Sequence, residues 1–150
     1  MIRKFFLIPV SILLLCCLIQ CKKEVPLNLF LYNQPLKTIQ HYIQGKWRLV
    51  YGKGGISSNT MIYCDKCTIE FTSTNRVLVT NEDGIFLSDT TIQWIRDIGT
   101  YTYGDSTYLM KFYDKYGYPS VYVIERIYYD TLIYHDNSAD PVFYHYVKSN

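Results

Sequence analysis

The stretch from Ser120 to Lys148 reads SVYVIERIYYDTLIYHDNSADPVFYHYVK and decides the predicted fold. Two short segments rich in turn-forming residues, Tyr129-Asp130 and 136–141, divide it. The remaining three runs are rich in β-branched and aromatic residues and span 120–128, 131–135 and 142–148. Strand-like runs with tight connections predict antiparallel hairpins. The last part of the chain is therefore expected to be a meander of three strands.

Strand-like segments continue upstream to Lys46, where apolar and polar residues alternate between short turns. This alternation is found at 46–51, 68–72, 77–80, 91–94, 100–103 and 108–112. Before it, Leu36, Ile39 and Ile43 have the spacing of one helical face, and Gly45 ends the predicted helix over 36–44. Because no crossover helix is available for a parallel sheet, the chain is predicted to be all-β. We expect an antiparallel up-and-down barrel of about eight strands with a short N-terminal helix.

The N-terminus has the pattern of a secretion signal. Arg3 and Lys4 precede an apolar run over 5–19, which is shorter than the roughly 20 residues of a spanning helix. The run ends in Leu18-Ile19-Gln20-Cys21, which resembles the bacterial lipoprotein box, although small residues are usual where Gln20 stands. This resemblance implies that residues 1–20 are a lipoprotein signal peptide. It also implies that Cys21 carries acyl chains such as palmitate. An uncleaved signal anchor is the alternative.

After cleavage at Cys21 the chain is electrically neutral, with equal numbers of basic and acidic residues. A neutral chain of this size is one domain with no electrostatic case for nucleic acid. Residues 21–35 contain two prolines without a clear period, and they are predicted to be a tether. Apolar residues in the tether, Leu27, Leu29, Phe30 and Leu31, suggest that part of it docks on the domain. The barrel domain is predicted to span 36–150.

Several motifs along the domain resemble lipocalin-like lipoproteins of the Bacteroidetes type. A short helix followed by Gly45-Lys46-Trp47 resembles the G-x-W opening of lipocalins, whose tryptophan closes one end of an eight-stranded barrel. Where lipocalins usually stack a late arginine on this tryptophan, the late basic residue here is Lys148. Further matching pieces, in order, are W-x-L-V at 47–50, G-G-I at 54–56, F-T-x-x-N at 71–75, G-T-Y-x-Y at 99–103 and the final strand at 140–148.

A barrel of about eight strands has an interior that is filled by side chains or holds one small ligand. Alternation predicts that Ile69, Val77 and Val79 face inward. The inward residues that would contact a ligand are Trp47, Leu49, Phe71, Trp94, Tyr101, Tyr103, Met110, Phe112 and Tyr122. Tyrosine is abundant, with 16 residues, and indicates either an aromatic ligand lining or an ordinary sheet surface.

Cys64 and Cys67 are three residues apart and are predicted to form a structural disulfide. A four-residue turn brings the ends of such a segment within bonding range. A redox-active pair is less favoured because the residues that follow predict a strand, not a helix. A zinc site lacks a second pair of ligands.

His41, His135 and His145 are the only histidines on offer for such a site, and the last two can be tested against strand geometry. If Val142 pairs with His135, the two histidines lie three rungs apart on opposite faces and share no metal. The sequence contains no motif for phosphate binding or nucleophilic catalysis, and no cofactor is expected.

These observations leave three function hypotheses. The first is a membrane-anchored binding module, held by lipidated Cys21, whose barrel takes a small apolar ligand. The second is a structural or interaction protein of the cell envelope, with a plugged barrel and a tyrosine-rich outer face that binds a protein or glycan partner. The third, an enzyme, is disfavoured because no nucleophile, base and orienting group occur together. In either of the first two cases the expected location is the outer membrane, facing the periplasm or the surface.

Overall fold

The computed structural model describes residues 28–55, 61–102 and 104–149. The predicted signal peptide 1–20, the lipidation site Cys21 and the first part of the tether lie outside this part of the chain, as do Ile56 and Tyr103.

The helix α1 spans Leu36–Ile43, with Ile39 and Ile43 buried against the sheet. Its end follows from Gly45, whose φ of +107° is a conformation that residues with a side chain rarely adopt. The predicted helix over 36–44 is thus confirmed.

Strands make up most of the remaining described residues. They are β1 (Asn28–Phe30), β2 (Gly45–Gly54), β3 (Met61–Ile62), β4 (Thr68–Phe71), β5 (Arg76–Thr80), β6 (Phe86–Thr91), β7 (Gln93–Ile98), β8 (Ser106–Tyr113), β9 (Pro119–Tyr128), β10 (Thr131–Asp136) and β11 (Val142–Lys148). All their pairings are antiparallel.

The sheet curls into a half-barrel with strand order β6-β5-β4-β2-β11-β10-β9-β8-β7. Its two edges, β6 and β7, are consecutive in the chain and are separated only by the buried Ile92. If they are counted as one bent strand, eight strands follow one another around the path. At the start of β6, away from this bend, the Leu87 carbonyl accepts a hydrogen bond from the Lys115 amide at 2.8 Å, which links β6 to the turn after β8. The all-β, up-and-down prediction is confirmed.

Trp47 is buried near the start of β2, next to the helix. Its Nε1 donates to the carbonyl of Ile43 at 2.6 Å, which ties β2 to the last turn of α1. The ammonium of Lys148 lies 4.3 Å from the centroid of the Trp47 ring, and it also donates to the carbonyl of Gln44. A lysine therefore covers the tryptophan face by a cation–π contact.

The folded unit begins earlier than the predicted domain start at Leu36. Asn28–Phe30 pairs with β9, and Leu31 is completely buried, with its amide donating to the Glu125 carbonyl at 2.7 Å. Part of the predicted tether, including Leu29 and Leu31, is therefore docked on the domain.

The predicted strand over 100–103 is wrong for Thr100 to Thr102, where the chain turns. The Thr102 hydroxyl bonds the carbonyl oxygens of Gly99 and Asp105 at 2.7 and 2.8 Å, respectively. Local hydrogen bonds from the Thr102 side chain thus stabilise a turn where the alternation of residues favours a strand.

Candidate functional site

Most of the described residues that were predicted to face the interior are buried or half-buried. Five of the predicted ligand contacts are at most 5% exposed: Trp47, Leu49, Phe71, Met110 and Phe112. Trp94 and Tyr122 are half-buried and pack against the same core. Trp94 also donates from Nε1 to the side-chain oxygen of Asn75 at 2.7 Å.

Tyr101 is the exception among the described predictions. Its side chain is 64% exposed and lies on the outer face of the sheet, so its assignment to the barrel interior is wrong. The reason is the turn at 100–102, which takes Tyr101 out of the strand alternation. The other tyrosine of this segment, Tyr103, lies outside the described residues.

Four tyrosines that face the interior form what we call the interior tyrosine cluster: Tyr122, Tyr134, Tyr144 and Tyr146. The rings of Tyr134 and Tyr146 stack with centroids 5.3 Å apart, and Tyr122 packs edge-on against Tyr134 at 5.2 Å. The Tyr134 hydroxyl donates to the Tyr146 hydroxyl at 3.1 Å. This bond gives each buried phenol one hydrogen-bond partner, which lowers the cost of burying the pair.

Burial has a clear electrostatic effect on this cluster. It raises the pKa of Tyr134 well above the ordinary phenol value, and neighbouring tyrosines raise it further. Burial also raises the pKa of Tyr144 to about 12. The cluster therefore remains uncharged at neutral pH.

At the helix end of the barrel, a cavity of about 100 Å³ reaches the core residues Phe71 and Ile92 and is also lined by Gln40, Asn75 and Trp94. It is small beside the roughly 300 Å³ of the smallest typical ligand pockets.

The outer face of the sheet has its own aromatic arrangement, which depends on two β-bulges, at Val50 in β2 and at Glu125 in β9. A register shift between His145 and Tyr146 inserts Val50 as an extra residue in β2. As a result Trp47 and Leu49 face inward, whereas Tyr51 faces outward opposite His145. The rings of Tyr51 and His145 stack with centroids 4.2 Å apart.

The two histidines of the last hairpin share this outer face, contrary to the prediction. His135 pairs with Phe143 and Ile133 pairs with His145, one residue away from the predicted register. The histidines are therefore two rungs apart on one face, with Phe143 beside His145 along β11. Within the described residues no group of three or more His, Cys, Asp or Glu side chains could hold a metal ion.

The loop 99–102 crosses this face and holds Tyr101 over it. The Asn137 side-chain oxygen accepts hydrogen bonds from the amide and hydroxyl of Thr100 at 2.8 and 3.1 Å. The Tyr101 ring meets Phe143 and His135 edge-on, with centroid distances of 5.7 and 5.9 Å. Tyr101 thus stands between two depressions of the outer face.

The larger depression, which we call the Tyr101 cleft, has a volume of about 340 Å³. Its walls are Tyr51, Gly54, Gly55, Tyr101, Phe143 and His145, and its rim is Lys53, Asp140 and Pro141. The smaller depression, of about 170 Å³, lies on the other side of Tyr101, beside Phe30 and Tyr32.

The charges around the Tyr101 cleft balance. Lys53 and Asp140 are both exposed at the rim and have opposite signs. Burial, followed by repulsion from Arg126, lowers the pKa of His145 below its ordinary value, so this imidazole is neutral at pH 7. The cleft is a neutral aromatic site with both donors and acceptors at its edge.

Alternation alone did not reveal this site, because the two bulges and one turn that create it break the alternation. One signal was present in the sequence: Phe143 and His145 alternate with Tyr144 and Tyr146, which places aromatic residues on both faces of β11.

Cys64 and Cys67 lie in the turn between β3 and β4, with Sγ atoms at bonding distance and Cα atoms 5.4 Å apart. This separation fits the structural disulfide that the sequence predicts.

None of the described helices is both long and apolar enough to cross a membrane. Comparison of the chain with family models, with curated proteins and with solved structures gives no match.

Proposed function

We propose that this chain is a non-catalytic interaction protein of the cell envelope, tethered to the outer membrane by acylated Cys21. Its lipocalin-like barrel is packed solid, and it binds its partner through the outer face around Tyr101. The observation on which this proposal depends is the interior tyrosine cluster, which occupies the space that a ligand of a hollow barrel would take.

Interior packing favours this function over a barrel that carries a small apolar ligand. Met110, Ile124 and Leu132 are completely buried beneath the tyrosines. A ligand of ordinary size needs roughly 300 Å³, so several of these side chains would have to move to admit it. Displacing well-packed side chains costs about 1–3 kcal/mol for even modest overfilling.

The outer face offers what the interior lacks. The Tyr101 cleft is of ligand-pocket size and open to solvent, and its aromatic walls are supported by the sheet. Aromatic side chains on a rigid scaffold suit binding, because they bury a large area with few rotatable bonds.

The filled interior can be tested with N-phenyl-1-naphthylamine, a lipophilic fluorescent probe. The full chain in micelles is titrated, and Trp47 and Trp94 report binding through energy transfer. We expect no saturable binding by the unsubstituted chain. The matched variant Tyr146→Ala opens a cavity in the core and should gain binding. Stoichiometric binding by the unsubstituted chain would contradict the proposal and favour the hollow barrel.

The anchor is tested separately by intact mass spectrometry of protein extracted from membranes. We expect the mass of a chain that begins at Cys21 and carries acyl groups, and we expect Cys21→Ser to abolish that mass. An unmodified Cys21 in native material would refute the tether.

A further inference from the structure

We propose that the Tyr101 cleft binds a neutral saccharide, with a pyranose ring stacked on Tyr101 and its hydroxyls bonded at the rim. This inference rests on the proposed function, since it names the ligand class of the same outer face. It depends on three properties of the cleft. An exposed aromatic ring is held in place as a stacking platform, one wall is formed by glycines without side chains, and the polar groups at the rim carry no net charge.

The platform is Tyr101. Its φ is +61°, a left-handed conformation that residues other than glycine, asparagine and aspartate adopt at a cost. The conformation is held by the Thr100 hydrogen bonds to Asn137 and by the Thr102 hydrogen bonds within the loop. Strained residues held by surrounding structure cluster at binding sites. The result is a large aromatic ring that is 64% exposed and yet fixed in position.

The wall without side chains is formed by the backbone of Gly54 and Gly55. A Cβ on Gly54 would lie 2.3 Å from the Pro141 carbonyl oxygen, so the backbone can approach the 141 segment only because this residue is glycine. Both glycines also have positive φ, at +130° and +84°. Among the described residues that line the cleft, these two consecutive positions therefore add no side chain to its wall.

The polar rim selects the chemistry of the ligand. Lys53 offers donors, Asp140 offers acceptors, and their charges cancel. An anion or a cation would meet one favourable and one unfavourable charge, whereas a neutral polyol can use both. A purely apolar ligand would make no use of either rim group.

A pyranose fits these features together. Its C–H groups are weakly positive and suit the negative face of an aromatic ring, while its equatorial hydroxyls project outward to the rim. A proline-rich peptide also stacks on aromatic rings, but its carbonyl groups only accept hydrogen bonds. The Asp140 carboxylate also only accepts hydrogen bonds, so it cannot pair with these carbonyl groups.

The probes are three neutral trisaccharides, maltotriose, cellotriose and N,N′,N″-triacetylchitotriose, and saturation-transfer NMR detects their binding to the full chain. The chain is held in dimethylamine-oxide micelles, because alkyl-glycoside detergents would compete for the site. We expect at least one trisaccharide to bind saturably. Asp140→Asn, which keeps the shape of the rim, should weaken that binding about threefold to tenfold, as expected for a lost charge-assisted hydrogen bond.

The decisive variant is Tyr101→Asn, because asparagine tolerates the left-handed backbone and removes only the ring. We expect it to weaken saccharide binding by about tenfold or more, the scale of a lost stacking platform. The matched control is Tyr116→Asn, the same substitution at a 72% exposed tyrosine in the turn between β8 and β9. It should leave binding unchanged.

Three results would overturn the inference: no saturable binding of any trisaccharide up to about 10 mM, a concentration well above weak dissociation constants; saccharide binding that Tyr101→Asn leaves intact; or binding of a decaproline peptide in place of the saccharides. None of these results affects the filled barrel, which fails only if the lipophilic probe enters the interior. The two proposals can therefore fail independently.

Discussion

Both faces of β11 carry aromatic side chains, but those on one face pack in the core and those on the other line an open cleft. Tyr144 and Tyr146 point into the barrel and join the interior tyrosine cluster, whereas Phe143 and His145 point outward to the Tyr101 cleft. Inside, the rings pack against one another and the Tyr134 hydroxyl donates a hydrogen bond to the Tyr146 hydroxyl. Outside, Tyr101 presents most of its ring to solvent.

The comparison shows that an abundance of tyrosine does not by itself indicate a ligand lining. An inward tyrosine whose hydroxyl has a partner within the protein serves as a core residue. An outward tyrosine on a fixed backbone is available for a ligand. Strand register, which decides the direction of each ring, separates the two roles.

The largest effect that this comparison predicts is for Tyr134→Ala. Tyr134 is 4% exposed, and removing its ring leaves a cavity among the other cluster tyrosines. We expect the free energy of unfolding to fall by about 3–5 kcal/mol, as for other buried aromatic residues changed to alanine. Urea denaturation measures it. Tyr116→Ala, at a 72% exposed tyrosine, should change stability by less than about 0.5 kcal/mol. An equal loss of unfolding free energy in both variants would contradict the assignment of Tyr134 to the core and of Tyr116 to the surface.

Alkaline pH should act on the interior cluster. Burial raises the folded-state pKa of Tyr144 to about 12 and also raises the pKa of Tyr134, whereas an ordinary phenol has a pKa of about 10. The unfolded state therefore loses phenolic protons at lower pH than the folded state. The stabilisation is complete below pH 10 and is lost as the pH rises through the folded-state values.

We expect urea midpoints to decrease steadily from pH 10 to pH 12, and the absorbance of phenolate to show an early and a late group of tyrosines. In Tyr144→Phe the decrease should be smaller, because one of the perturbed phenols is gone. A single titration step with all tyrosines near pH 10 would contradict the buried cluster.

The hydroxyl pair gives a smaller and more specific effect. Tyr146→Phe leaves the Tyr134 hydroxyl without its acceptor, and we expect it to cost about 1–2 kcal/mol. The double variant Tyr134→Phe with Tyr146→Phe removes both partners and should cost less than the sum of the two single changes. Strict additivity in this double-mutant cycle would show that the two hydroxyls are not coupled.

Much of the fold was predictable because alternation and turn residues agree over most of the domain. The helix, the all-β meander and the burial of residues such as Trp47 and Met110 all followed from spacing. The strand β6 was missed because its pattern is inverted: Phe86 and Leu87 are exposed and Ser88 is buried, with its hydroxyl bonded to the Tyr113 carbonyl at 2.6 Å.

The outer site was harder to predict for a different reason. Val50 and Glu125 are bulge residues that reverse the direction of the side chains beyond them. A bulge is a property of pairing between distant strands, and no local feature of β2 marks Val50 as its extra residue. The direction of Tyr51, and the shared face of His135 and His145, therefore depend on register that alternation within one strand does not contain.

The smallest predicted effect concerns His145 on the outer face. Burial lowers its folded-state pKa from 6.5, with Arg126 adding to the shift, so the unfolded state binds the proton first as the pH falls. The stabilisation is therefore complete above pH 6.5 and declines at lower pH. Because His145 is only half-buried, we expect a shallow loss of stability between pH 7 and pH 5. In His145→Gln this part of the slope should disappear, and the saccharide titration should keep its Tyr101 dependence. An unchanged slope in the variant would mean that His145 is as free to ionise as a solvated histidine, and the outer face would then lack the neutral character that distinguishes its cleft.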